Sequence, residues 1–140
     1  MRKEVTAIDL ILFVTFLLIT GCLFIGTSKH EKIWLGGVGA SLLIIFLIVG
    51  QIIKWQTGFF VERTEDNSAA VGNWVVSFYI ILMIYLLVLL NYRMIKMAIS
   101  KRSPVKWSLI VLDILLSIII ILLGYFGLFF VAFMYFPFAP

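Results

Sequence analysis

Four uninterrupted apolar runs, each about as long as a bilayer is thick, constrain this chain more than any other feature. Crossing about 30 Å of hydrocarbon takes roughly 20 helical residues at 1.5 Å each. Runs of that length open near Ala7, Trp34, Trp74 and Trp107 and close near Thr27, Trp55, Tyr92 and Phe133. The expected fold class is all-α: a polytopic membrane protein built as an antiparallel bundle of four transmembrane helices. It is read as one domain, 1–140, with spans over about 7–27, 34–55, 74–92 and 107–133, a polar loop at 56–73 and a basic loop at 93–106. Membrane strands fit poorly, because they need only about 9–11 residues and alternate in polarity.

Composition argues the same way. Hydrophobic residues are 64% and charged residues 13% of the 140, against roughly 45–50% and 25% in soluble domains. A chain this small has too much surface to hide that much apolar side chain from water. The expected solvent is lipid. The first run has a basic start at Arg2 and Lys3 but reaches Thr27 without a small-x-small site, so it is read as a retained helix rather than a cleaved signal peptide. The single cysteine, Cys22, offers no disulfide or cluster and is expected to pack as a small residue.

The four tryptophans fall at segment ends, where an indole favours the headgroup level. Trp34 and Trp55 lie about 31 Å apart along a helix, one bilayer core. Of the eleven Lys and Arg residues, seven lie in the connections 27–33 and 93–106, while Arg2, Lys3, Lys54 and Arg63 lie on the opposite face. The positive-inside rule then puts those two connections in the cytoplasm, and both termini and the 56–73 loop outside a plasma membrane. The net charge of +4 is thereby assigned to topology and anionic lipid, not to nucleic acid.

Carboxylates in hydrocarbon are expensive and mark candidate sites. Asp113 is the strongest, about 9 Å beyond Trp107 along a helix. Ser117 and Gly124 share its arc. Asn91 and Arg93 close the third segment on the same side, and a structural partner for Asp113 is expected in Arg93, Asn91 or a neighbouring chain, Arg93 first, in preference to an ion or proton path. Asp9 is read as a helix-start residue acting on the dipole or as a cap. Glu62, Glu65 and Asp66 read as a solvated acidic loop.

Gly36, Gly37, Ala40 and Ser41 form two small-xxx-small pairs, which permit close helix crossing within the chain or between copies. The last segment ends in a dense aromatic group. Phe129, Phe130, Phe133 and Tyr135, followed by Phe136 and Phe138, suit an interfacial anchor or a surface for a partner protein or lipid, and Pro137 stops the helix.

No catalytic constellation is visible, and His30 has no companion to bind a metal, so neither enzyme activity, cofactor nor metal is expected. The leading functional expectation is a small non-catalytic membrane protein acting through protein–protein contacts: an accessory subunit, assembly factor, regulator or immunity-type protein. Its partners would be the bilayer and a membrane protein or a second copy. A small oligomeric transporter or channel is the alternative, disfavoured because the central thirds of the four segments carry no ionisable group.

Overall fold

The computed structural model describes residues 2–135, with the side chains of 2–6 and of residue 8 outside that description. Four helices account for nearly all of it: α1 (Arg2–Phe24), α2 (Lys29–Gln56), α3 (Glu65–Ile99) and α4 (Ser103–Tyr135). No strand occurs among the described residues. The helices α2, α3 and α4 are each long and apolar enough to cross a membrane, whereas α1 offers a shorter apolar stretch, Asp9–Phe24.

The helices overrun the hydropathic boundaries because local capping chemistry extends them. Ser28 accepts from the Glu31 amide and Glu31 accepts from the Ser28 amide, a capping box that starts α2 five residues before Trp34. Thr64 and Asn67 make the same reciprocal pair at the start of α3, with Glu65 and Asp66 in the first turn, where carboxylates suit the dipole. Those two acids therefore belong to a helix, not to a loop. The expected 56–73 loop contracts to 57–64, and the basic 93–106 loop to 100–102. Pro104 sits in the first turn of α4, where its missing N–H costs nothing.

Glycine sets two of the turns. Gly26 has φ 82° and Gly58 has φ 69°, a region that L side chains adopt with strain. At Gly58 the α2 carbonyls are met in a 6→1 and 5→2 pattern, Phe59 N to Lys54 O and Gly58 N to Trp55 O. Phe59 then folds into the core.

Side-chain bridges show that neighbouring helices run antiparallel. Tyr85 Oη donates to Leu35 O, and Phe46 packs on Phe78 at 5.5 Å between centroids. Tyr79 Oη donates to Gly124 O, and Asn91 Nδ2 to Ser117 Oγ. The spine of the bundle is α3, whose Val71, Val75, Phe78, Leu82, Tyr85, Leu86 and Leu89 form most of the core. Among the described residues α4 makes its close backbone approach to α3 and to no other helix, and α1 approaches α2 and α3 over short stretches.

The face that α2 turns inward is Gly39, Leu43, Phe46, Gly50 and Lys54, a stripe with a spacing of three and four. An added Cβ at Gly39 would lie 2.7 Å from Tyr85 Oη, so glycine here lets the tyrosine reach the Leu35 carbonyl. Gly37, Ala40 and Ser41 are exposed, nothing stands within 4 Å of a Cβ at Gly37, and Gly36 meets only the Phe24 ring at 3.8 Å. Within the chain, the close approach is therefore made by Gly39, which belongs to neither small-xxx-small pair. Trp74, expected as an interfacial marker, instead turns inward against Phe78 and beside Gly50, while Trp34, Trp55 and Trp107 project outward.

Candidate functional site

The principal polar assembly lies at one end of the bundle, where α1 begins and α2 and α4 end. Lys54 is 1% exposed and ion-paired with Asp9 Oδ2. Tyr135, also 1% exposed, donates from Oη to Asp9 Oδ1 at 2.7 Å. Both carboxylate oxygens are thus occupied, one by a cation and one by a phenol. Asp9 is a buried hinge pin of three helices, not the helix-start residue expected: α1 begins at Arg2, well before it. Tyr135, expected on the outward aromatic surface, is buried for the same reason.

The 57–64 link closes over this assembly. Arg63 donates from Nη2 to Met134 O at 2.7 Å, one residue before Tyr135, and its guanidinium stands 5.4 Å over the Phe59 ring. Asn67 Nδ2 holds the link from beneath by donating to Glu62 O at 2.6 Å. A buried charge is tolerable only when paired and hydrogen-bonded, and here the ammonium, carboxylate and phenol satisfy one another. The arrangement leaves no free base or nucleophile. Its chemistry is that of a clamp.

At the opposite end a second network joins α2 to α3. Lys96 ion-pairs with Glu31, Tyr92 Oη donates to Glu31 Oε1 at 2.8 Å, and the Ser28 amide donates to Oε2. The Lys96 ammonium, with Tyr92 and the Ser28 amide, lowers the Glu31 carboxyl to about 2, and Glu31 in turn raises Lys96. Nearby, Arg93 donates from Nη1 to the carbonyls of Cys22 and Leu23 at 3.0 and 2.8 Å, capping the last turn of α1. A cation at free C-terminal carbonyls suits the helix dipole.

That use of Arg93 overturns its expected pairing with Asp113. Asn91 is also committed elsewhere, to Ser117 Oγ and to Leu87 O. Asp113 is 7% exposed, and its Oδ1 has no hydrogen-bond partner among the described residues. Asp113, Ser117 and Gly124 lie on the side of α4 that meets α3, where Gly124 admits the end of Met83 and Gly127 admits the Tyr79 hydroxyl.

Phe129, Phe130 and Phe133 are exposed, with Phe126 beside them, while Phe136, Pro137 and Phe138 lie outside the described residues. Cys22 is a free, exposed thiol, not the packing residue expected, and its carbonyl is the group with a partner. Among the described residues no group of three His, Cys, Asp or Glu side chains comes together to hold a metal. No protein-family model, no curated protein and no solved structure matches this chain.

The Asp9–Lys54 pair was missed in the sequence because Lys54, next to Trp55, reads as a boundary charge. Its signal is positional: Lys54 continues the Gly39, Leu43, Phe46, Gly50 stripe and so must point into the bundle.

Proposed function

We propose that this chain is an integral membrane protein crossing a plasma membrane four times, which acts without catalysis through side-on contact with another membrane protein. The termini and the 57–64 link would lie outside, and the 25–28 and 100–102 links in the cytoplasm. The seven Lys and Arg residues in and beside those two links support that orientation. The breadth of exposed apolar surface on α2, α3 and α4 supports a lipid environment.

One observation carries the contact role. Phe126, Phe129, Phe130 and Phe133 recur at i, i+3, i+4 and i+7 on the outer side of α4, all between 59% and 69% exposed. That spacing is the one by which a helix presents a continuous apolar face to a partner. The nearby Asp9, Lys54 and Tyr135 are turned inward and engaged with one another, and Arg63 holds the Met134 carbonyl, so the stripe is presented by a braced helix end. Aromatic side chains are also the residues most enriched where a few contacts dominate binding.

The test is the size and content of the assembly extracted in digitonin, compared with a Phe130→Ser/Phe133→Ser double variant. The reading expects a second protein co-migrating with the parent chain and lost from the folded variant. A lone monomer contradicts it. A homo-oligomer that carries cation flux in liposomes would favour the transporter alternative.

A further inference from the structure

A cavity of about 230 Å³ lies in the middle of the bundle, with walls from all four helices. Phe16 of α1 and Leu82 and Leu86 of α3 form its buried side, and Leu123 and Gly124 of α4 stand opposite. Its contribution from α4 begins about 16 Å from Tyr135 along the helix, and that from α1 begins one turn past Asp9, so it sits at mid-length, away from both polar ends. No charged side chain lines it. The two polar residues on its wall are Thr15 and Tyr79, and the Tyr79 hydroxyl is committed to Gly124 O.

The open side follows from the packing. Among the described residues no Cα of α1 comes within 8 Å of one in α4, although each packs on α3. The hydrogen bond from Tyr135 to Asp9 bridges these two helices only at the clamped end. The cavity is therefore open on the side between α1 and α4, where exposed Ile19 and Leu123 belong to its lining.

The chemistry of the wall selects the guest. A charged or strongly polar molecule would lose its hydration with nothing to replace it. Water gains no partners in an apolar cavity, and such cavities stay dry and accept hydrocarbon guests. Left empty, the wall forfeits the dispersion contacts of a filled core. We propose that the cavity binds one acyl chain of a membrane phospholipid, inserted laterally between α1 and α4. This rests on the membrane reading above, since at mid-span depth the molecule of matching chemistry that faces the slot is the lipid tail.

The experiment uses the full chain in phosphatidylcholine vesicles containing phosphatidylcholine with a diazirine at mid-chain, irradiated and mapped by peptide mass spectrometry. Exposed Leu18 and Leu122 report surrounding lipid, while buried Phe16 and Leu86 are reachable only from the cavity. Adducts are expected at both sets. Filling variants from two walls, Leu12→Trp and Leu82→Phe, should lower adducts at Phe16 and Leu86 severalfold and leave Leu18 and Leu122 unchanged. Should either variant fail to fold, the parent map and the other variant decide. Adducts confined to Leu18 and Leu122 overturn the acyl-chain site and leave the membrane reading intact. An absence of adducts at every helix overturns both.

Discussion

Lys54 and Asp9, 45 residues apart in the chain, form an ion pair from which solvent is almost wholly excluded. Tyr135 takes the second carboxylate oxygen, so α1, α2 and α4 are pinned at a single acidic group. Among the described residues no α1 Cα comes within 8 Å of an α4 Cα, so this pin is expected to limit how far the slot between them opens. Its loss should be felt as both instability and a wider slot.

Removing one member strands the other. Lys54→Met should therefore destabilise by about 3–5 kcal/mol, the usual cost of breaking a buried pair. Combining it with Asp9→Leu should recover much of that loss, because no unpaired charge remains. Thermal unfolding in detergent measures the cycle. Additive losses in the double variant would show that the two side chains do not depend on each other.

The α2–α3 crossing makes a prediction that separates neighbouring glycines. Gly39→Leu should destabilise by about 2 kcal/mol or more through overpacking against Tyr85 and loss of its bond to Leu35 O. Gly37→Leu, on the open face, should be near neutral for the monomer. Reversed sensitivities in monomer thermal stability would mean that α2 is rotated from the orientation described.

What the sequence allowed and what it withheld divide along one physical line. Apolar run length depends on composition alone, and four runs did become four helices. Helix ends depend on short local patterns that hydropathy ignores: Ser28 with Glu31, and Thr64 with Asn67, both lie open in the sequence and move two boundaries outward. Rotation is harder. These helices are apolar nearly all round, so no strong polar face marks the outside, and adjacent small residues at 36, 37, 39, 40 and 41 allow several crossings. The tyrosine on α3 selects Gly39 among them. Pairings such as Asp9 with Lys54, or Arg93 with the end of α1, require those rotations first.

Asp113 tests the cost of a buried polar atom without a donor. An unsatisfied carboxyl oxygen costs on the order of 1–3 kcal/mol, so Asp113→Leu should leave the purified monomer as stable or raise its melting temperature. A clear fall would show that a donor reaches this carboxyl after all.

The Glu31 network gives a pH dependence of definite sign. A carboxyl held below its ordinary 4.5 stabilises the folded state fully above that value and loses the contribution as pH falls toward about 2. Parent and Glu31→Gln should therefore differ in melting temperature at pH 6 and converge between pH 4.5 and 2. Parallel curves throughout that window would remove Lys96 and Tyr92 from the account of α2–α3 docking.

The central claim, that the outer aromatic stripe of α4 meets another membrane protein, is tested most directly by photocrosslinking in native membranes. Benzoylphenylalanine would replace Phe130 or Phe133 on α4, with Ile44 on the exposed side of α2 as the comparison. The account predicts one discrete protein adduct from Phe130 and Phe133, and lipid adducts alone from Ile44. Lipid adducts alone from all three positions would contradict it, and would make the stripe an anchor in the bilayer.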